Sequence, residues 1–308
     1  MSIHNRGIWT WGHVIYDYRA FFKNMAKLGF NRIVIWNDIR PLNAEEVLRE
    51  AHKNGIKLIW GFSWGWTDRC GENVRNIGAE RMKTLQAEIL TEFENYKDIC
   101  ANGIYFQSFT ETNDQSVGGV SIAEAVVGLV NSTAAEIYRL MPDIELEFGL
   151  HATSVKNSLD IIAKTDPRIR IVWEDCGAFP FDYDPHNTDG FDETCDFVKK
   201  ILFLRGENER CGFVFKGMTK LDWSTFKYHD EPYSIGTADA DFIAARAKEK
   251  EPLWDYVTDG WRKNGDYARR MINLVSENKN ITADELIEDG MFEHEIHEPP
   301  IMFSGLTD

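Results

Sequence analysis

The sequence predicts a parallel α/β protein, a (β/α)8 TIM barrel, and two observations support this fold class. From residue 7 to about residue 218, short apolar runs alternate with amphipathic stretches of a dozen or more residues. This alternation is the pattern of repeated βα units around a parallel sheet. The length of 308 residues also suits one barrel, because such domains commonly run to about 250 residues before additions. We therefore expect a single barrel domain over residues 1–308.

Seven apolar runs are the predicted barrel strands. They cover residues 7–14, 32–38, 57–64, 103–111, 144–151, 169–175 and 212–218. A closed barrel needs an eighth strand, and we place it between Trp223 and Gly236, where the strand pattern is weak. A doubly wound open sheet is the alternative. Against it, no predicted strand ends in the GxGxxG or GxxxxGK[ST] loop that commonly marks nucleotide binding in open sheets.

Helices are predicted between these strands, over residues 18–28, 44–54, 79–96, 122–140 and 194–204. Gly29 and Gly55 follow the first two helices, where a left-handed residue ends a helix. Beyond residue 237 the chain is predicted to be helical over 239–248 and 253–277, and then acidic and irregular. The barrel strands are thus expected within about 7–236, and a helical C-terminal extension over about 237–308.

Charge and cysteine content exclude several kinds of partner. The formal net charge of −16 disfavours nucleic acids and anionic membranes, since binding would bring like charges together. No stretch approaches the roughly 18 apolar residues that span a bilayer. A neutral or locally captured small molecule suits the net charge of the chain better. The first residues lack an apolar signal region, so we expect a cytoplasmic protein. Five cysteines without a CxxC pair argue for reduced thiols, and we expect neither a metal nor a cofactor.

Tryptophans and polar side chains are concentrated where the predicted strands end, which is where (β/α)8 barrels carry their catalytic groups. Eight of the ten tryptophans lie in or just after predicted strands. Tryptophan rings stack on the apolar faces of sugars, while carboxylates and amides bind hydroxyl groups. The predicted substrate-binding residues are Trp9, Trp11, His13, Trp36, Asp38, Trp64, Trp66, Arg69, Asn113, His151, Trp173, Lys216, Asp222 and Trp223.

The twofold period of a strand assigns side chains to faces. In strand five the apolar residues share one parity, which directs Glu145, Glu147 and His151 into the barrel. The same reasoning in strand four groups Glu111 with Tyr105, Gln107 and Phe109 on the inner face. Glu174 and Asp175 are adjacent, so only one of the two is expected to reach the site. The sequence leaves open which one.

Paired carboxyl groups at a barrel mouth indicate hydrolysis of a glycosidic bond. That reaction needs one protonated carboxyl as the acid and one ionised carboxylate as base, nucleophile or stabiliser. We assign Glu111 as the general acid and Glu174 or Asp175 as the base or nucleophile. The expected substrate is a small oligosaccharide or glycoside.

The opening segments RGIWTWG at residues 6–12 and MAKLGFNRIVIWND at residues 25–38 resemble the first βαβ unit of glycoside hydrolase barrels. The resemblance is closest to α-glucuronidases and β-N-acetylhexosaminidases, and extends over the strand framework to about residue 225. It implies that Glu111 protonates the leaving group. Hexosaminidases carry an Asp-Glu pair there, where this chain has Thr110 and Glu111. The large clan of retaining glycosidases has a glutamate on strand seven, where this chain has Lys216.

The resemblance to α-glucuronidases implies that Glu174 and Asp175 supply the later carboxylates, and that Lys216 and Arg69 hold a substrate carboxylate. Three other functions stay open. In a metal-dependent sugar isomerase or epimerase, Glu111, Glu147, His151 and Asp175 would converge on a divalent cation. In a Schiff-base aldolase-type lyase, Lys216 would be the nucleophile. The third is a barrel that binds sugar without turning it over.

Overall fold

A computed structural model describes residues 2–37, 39–65, 77–151, 154–174, 177–220, 235, 239–287 and 290–308. Its eight parallel strands close into a barrel, which confirms the predicted (β/α)8 fold and excludes the open sheet. The strands are β1 (Asn5–Trp11), β2 (Arg32–Trp36), β3 (Lys57–Ser63), β4 (Ile104–Gln107), β5 (Leu146–Leu150), β6 (Arg170–Trp173), β7 (Cys211–Met218) and β8 (Thr282–Ile287).

A helix follows each strand along the chain, as expected of repeated βα units. The helices are α1 (Tyr18–Lys27), α2 (Ala44–Lys53), α3 (Ala79–Tyr96), α4 (Ile122–Leu140), α5 (Leu159–Ile162), α6 (Phe191–Ile201), α7 (Ala240–Val275) and α8 (Glu298–Thr307). A single turn of 3-10 helix, Gly12–Val14, follows β1, and a small hairpin pairs residues 116–117 with 120–121. No helix among the described residues has both the length and the apolar character needed to cross a membrane.

The closing strand lies far later in the chain than the sequence indicated. β8 pairs in parallel with β1, from Asn5 opposite Thr282 to Trp9 opposite Leu286, and on its other edge with β7. The prediction of an eighth strand between Trp223 and Gly236 was therefore wrong, and so was the limit of residue 236 for the barrel strands. Two adjacent acids, Asp284 and Glu285, conceal the strand pattern, although both are buried.

The segment after residue 237 is mostly helical, but it also supplies the last βα unit of the barrel. The two helices predicted over 239–248 and 253–277 form one continuous helix, α7, with Pro252 inside it. Asp239 caps this helix, because its side chain accepts hydrogen bonds from the backbone N–H groups of Asp241 and Phe242.

Alternate residues along the strands form two separate layers. The outer layer packs against the helices and is the larger apolar core. The barrel interior holds a second cluster made of Trp9, Val34, Trp36, Ile59, Tyr105, Val172, Val214 and Leu286. The twofold period of the strands thus determines which side chains can reach the interior and its open end.

Charged side chains fill the interior near the amino-terminal ends of the strands. Arg32 on β2 donates two hydrogen bonds to Glu147 on β5, at 2.9 and 2.7 Å, and its Nε lies 3.1 Å from Asp284 on β8. Arg170 on β6 adds a contact of 3.6 Å with Glu147. Burial raises the pKa of Asp284 to about 7, while the Arg32 charge acts to lower it. This buried network closes the end of the barrel opposite the candidate site.

Candidate active site at the carboxyl end of the barrel

Glu174 is the residue around which the polar groups of the barrel mouth converge. It directly follows β6 and is 3% exposed. Nε2 of Gln107 donates to both of its carboxylate oxygens, at 2.7 and 2.8 Å, and the Tyr105 hydroxyl donates to Oε1. Nε2 of His151 lies 3.5 Å from Oε2. Because β4, β5 and β6 are neighbours in the barrel, side chains from their carboxyl ends meet at one point.

A glycine on β5 makes room for this convergence. A Cβ atom added to Gly149 would overlap both the Tyr105 hydroxyl and Oε1 of Glu174. Any side chain at this position would therefore push the phenol and the carboxylate apart. The absence of a side chain at Gly149 therefore allows the Tyr105 hydroxyl and the Glu174 carboxylate to meet.

The Gln107 amide can only donate through Nε2, so both oxygens of Glu174 act as acceptors in this contact. Tyr105 is fully buried, and its pKa is raised well above 10, first by burial and then by the charge of Glu174. The phenol therefore keeps its proton and acts as a donor.

Lys216 and Tyr183 form a second part of the mouth. The Lys216 ammonium on β7 lies over the Tyr183 ring, 4.5 Å from its centroid. The loop that carries Tyr183 is held on β7, because Pro180 accepts backbone hydrogen bonds from Lys216 and Gly217 at 2.9 and 3.0 Å. Burial raises the pKa of Tyr183; Lys216 acts to lower it, and Glu174 and Glu111 act to raise it. Both carboxylates thus lie within electrostatic reach of the Tyr183 phenol.

Glu111 belongs to a turn and not to a strand. β4 ends at Gln107, so the strand parity that directs Tyr105 and Gln107 inward does not extend to residues 109 and 111. Phe109 packs in the outer core, contrary to the predicted inner face. Ser154 fixes the turn by donating to the carbonyl oxygen of Thr110 at 2.6 Å. Glu111 is exposed there, as is Asn113.

Three of the predicted tryptophans belong to the barrel interior. Trp9 and Trp36 stack with ring centroids 6.3 Å apart, and Trp11 meets Trp9 edge to face at 5.2 Å. Tyr105 contacts Trp9 and Trp36 at 5.9 and 6.3 Å. The phenol that binds Glu174 thus connects the carboxylate to this aromatic group, while Trp11 remains partly exposed.

Trp64 and Trp173 lie on the outer face of the barrel, in the core between the strands and the helices. Trp64 stacks on Phe106 with centroids 3.6 Å apart, and Trp173 packs edge to face on Phe197 of α6 at 5.3 Å. Both are fully buried in the outer core. The prediction that they contact substrate was therefore wrong. Trp173 precedes Glu174 by one residue, so the strand alternation that directs Glu174 inward directs Trp173 outward.

Several predicted site residues lie outside the described residues. They are Asp38, Trp66, Arg69, Asp175, Asp222 and Trp223, together with the side chain of His13. For the adjacent pair of acids, Glu174 is the one whose position is described, and it faces the site.

Glu147 does face the barrel interior, as predicted, but it does not join His151 at the mouth. Both of its oxygens accept hydrogen bonds from Arg32 in the buried network at the opposite end. The predicted convergence of Glu147 and His151 on a cation was therefore wrong. Within the described ranges, no group of three or more His, Cys, Asp and Glu side chains is arranged to hold a metal ion.

The prediction of site residues missed Tyr183 altogether and did not assign Tyr105 or Gln107 to the site. Tyr105 and Gln107 were placed on the inner face by parity, but an inward phenol and amide were not recognised as ligands of a carboxylate. Tyr183 lies in the aromatic segment FPFDY at residues 179–183, after strand six. An aromatic loop at a barrel mouth is the signal that points to it.

Comparison with known proteins finds the fold but no family. No protein-family profile and no curated protein matches the sequence. A glycoside hydrolase family 5 enzyme from Prevotella bryantii B14, solved with a xyloglucan tetradecasaccharide, is 10% identical, with a TM-score of 0.55 over 95% of this chain and 87% of that one. The spore cortex-lytic enzyme SleL of Bacillus cereus is 10% identical, with a TM-score of 0.51 over 100% and 74% of the two chains.

A D-psicose 3-epimerase from Clostridium cellulolyticum H10, solved with D-tagatose, is 12% identical, with a TM-score of 0.47 over 98% of this chain and 96% of that one. The two similarities with TM-scores above 0.5 show, at 10% identity, the barrel fold and not the activity.

Proposed function

We propose that the chain is a glycoside hydrolase that cleaves the O-glycosidic bond of a small oligosaccharide or glycoside. The observation that carries this proposal is the Glu174 carboxylate, held at the barrel mouth by two donors from β4, with His151 at 3.5 Å and a group of tryptophans beside it. A fixed carboxylate beside aromatic rings suits a ligand with apolar ring faces and many hydroxyl groups.

The surroundings of the two carboxyl groups suggest different roles for them. Glu174 accepts from Gln107 and Tyr105, and an acceptor held in this way suits a nucleophile or a base. Glu111 is exposed and lies in a turn above the strand ends, where it can reach the oxygen of a leaving group. We assign Glu111 as the general acid and Glu174 as the base or nucleophile.

Trp11 and Trp36 are the proposed aromatic contacts for the sugar, because they pack in or against the interior cluster and are the last residues of neighbouring strands. His151 and Asn113 are proposed to bind hydroxyl groups. The barrel fold shared with the xyloglucan-bound family 5 enzyme is compatible with a carbohydrate ligand.

Lys216 is proposed to bind substrate as a cation. Its ammonium faces the Tyr183 ring, and a cation over an aromatic face is stabilised by the ring quadrupole. A Schiff base requires the neutral amine, which this contact disfavours. The surroundings of Lys216 therefore support charge-based binding more than covalent catalysis.

Hydrolysis of a panel of 4-nitrophenyl glycosides tests the proposal. We expect the wild type to hydrolyse at least one of them, and Glu174→Gln and Glu111→Gln to lower kcat on it by about 10²–10⁴-fold, the range of acid–base catalysis. Glu136→Gln is the control, since this exposed residue on α4 pairs only with Arg139 among the described contacts. Activity that survives both substitutions would exclude this pair as the catalytic carboxyls.

A further inference from the structure

Tyr105 can act on a substrate only through Glu174. The phenol is 0% exposed, lies between Trp9 and Trp36 on one side and Glu174 on the other, and donates its hydrogen bond to Oε1. A group so enclosed cannot touch a sugar that enters from the mouth. Its hydroxyl is nevertheless placed against the carboxylate that the proposed reaction uses.

The two oxygens of Glu174 are held unequally. Oε1 accepts from both Tyr105 and Gln107, whereas Oε2 accepts from Gln107 at 2.8 Å and has His151 only at 3.5 Å. A contact of 3.5 Å is at the long limit of a hydrogen bond and is weaker than one of 2.8 Å. Oε1 is therefore the anchored oxygen, and Oε2 retains the capacity to accept a further bond.

From this asymmetry we infer that Tyr105 is a positioning residue, which anchors Oε1 of Glu174 so that the carboxylate stays ionised and presents Oε2 to the substrate. The inference rests on the proposed glycosidase function for its effect on rate. Its effect on the protonation of Glu174 holds whatever the substrate is.

Three observations independent of one another support this role. Burial and the Glu174 charge raise the pKa of Tyr105 well above 10, so the phenol remains a donor across the working pH range. A side chain at position 149 on β5 would separate the phenol from the carboxylate, and this position is glycine. Edge-to-face contacts with Trp9 and Trp36 hold the ring in one orientation. The hydrogen bond is thus fixed from both sides.

Tyr105→Phe removes the hydroxyl and leaves the ring in place. On the best glycoside from the panel, we expect kcat to fall by about tenfold or more with little change in KM, because a hydrogen bond to a charged group is lost. The low-pH limb of kcat/KM should move to higher pH, because the carboxylate loses a donor. Tyr138→Phe is the control, since it removes a buried hydroxyl on α4 that is remote from the mouth.

Gly149→Ala is a second variant that disrupts the same hydrogen bond, in this case without removing the Tyr105 hydroxyl. Its Cβ would push Tyr105 and Glu174 apart. We expect the same displacement of the low-pH limb as in Tyr105→Phe, and no additional displacement when the two are combined. If the displacements of the low-pH limb in the two single variants added up in the double variant, the two substitutions would not act through the same hydrogen bond, and this would contradict the inference.

Carbon-13 NMR of protein labelled at the glutamate carboxyl carbons tests the inference without any substrate. The Glu174 resonance is the one missing from Glu174→Gln, and we expect it to titrate at higher pH in Tyr105→Phe than in the wild type, because a donor to the carboxylate is lost. An unchanged titration in Tyr105→Phe would overturn the inference. If no glycoside is hydrolysed, the proposed function fails, while this titration still decides the role of Tyr105.

Discussion

Nε2 of Gln107 lies 2.7 Å from Oε1 and 2.8 Å from Oε2 of Glu174, so an amide from β4 bridges both oxygens of a carboxylate that follows β6. This bridge sets the plane of the carboxyl group. Glu174 is thus held as an acceptor, which suits the proposed base or nucleophile, and we propose Glu111 as the acid of the pair.

If Glu111 is the general acid, its loss should depend on the leaving group. Glu111→Gln is expected to slow hydrolysis of a glycoside with a poor leaving group, such as a methyl glycoside or disaccharide, by about 10²–10⁴-fold. A 2,4-dinitrophenyl glycoside needs no protonation, so the variant's kcat/KM on it, which reports the steps up to departure of the leaving group, should be close to that of the wild type. Steady-state kinetics on both substrates measure the difference, and equal losses on the two would contradict the assignment.

Trp11 and Trp64 should respond in opposite ways to the same substitution. Trp11→Leu removes a partly exposed ring beside the mouth and should raise KM by up to about tenfold, with little loss of stability. Trp64→Leu removes a fully buried ring that stacks on Phe106, and should lower the free energy of unfolding by about 2 kcal/mol at unchanged KM. Urea denaturation and substrate kinetics on both variants distinguish a binding ring from a core ring.

Local periodicity was enough to locate seven of the eight barrel strands and the inward direction of Glu147, His151, Tyr105 and Gln107. The alternation of side chains along a strand depends only on that strand's own backbone, so it can be predicted without knowing which strands pair with it. It did not extend to Glu111, because the position at which a strand ends depends on pairing with the next strand. Periodicity also did not distinguish Trp36, which lies in the barrel interior, from Trp64, which lies in the outer core. Aromatic residues are favoured on both faces of a sheet, so residue type does not assign the face.

The eighth strand was misplaced because two acids in it resemble a solvent-exposed segment. Asp284 is buried, and its charge is compensated by Arg32, a residue about 250 positions away in the sequence. A charge that is compensated over such a separation leaves no local signal. The same reason explains why the carboxylate-binding roles of Tyr105 and Gln107 could not be assigned, since their partner lies on a different strand.

Removing one partner from the buried network around Arg32 should lower the free energy of unfolding more than replacing both partners of a pair by apolar residues. Arg32→Met leaves Glu147 and Asp284 buried without their main partner, and should destabilise the fold by about 3–5 kcal/mol. Arg32→Met combined with Glu147→Met should be less destabilised than the single variant. Arg49→Met removes an exposed pair with Glu46 and should change stability by less than about 1 kcal/mol. A double variant less stable than Arg32→Met would contradict the expectation.

Buried carboxyl groups should make the fold less stable as the pH rises. Burial raises the pKa of Glu293 to about 8, although its Oε1 accepts from the backbone N–H of Tyr16. The folded protein thus binds this proton more tightly than the unfolded chain does. The resulting stabilisation is complete below the unfolded pKa of about 4.3 and is lost as the pH rises through about 8.

Glu293→Gln isolates this contribution, because the amide is neutral at every pH. The variant should be more stable than the wild type by about 1–3 kcal/mol at pH 9, and its advantage should shrink toward pH 5. Glu207→Gln, at an exposed loop position, should show no pH-dependent difference from the wild type. Urea denaturation across this pH range measures both, and a stability difference that does not vary with pH would refute the explanation.

Chemical rescue of Glu174→Ala tests the central claim most directly. With a 2,4-dinitrophenyl glycoside that the wild type hydrolyses, the variant should be slower by about 10²-fold or more, and sodium azide should restore turnover and yield a glycosyl azide of inverted anomeric configuration. The azide would occupy the position from which the Glu174 carboxylate, or the water it activates, attacks the anomeric carbon. Hydrolysis by Glu174→Ala at the wild-type rate, without azide and without an azide product, would contradict the role of Glu174.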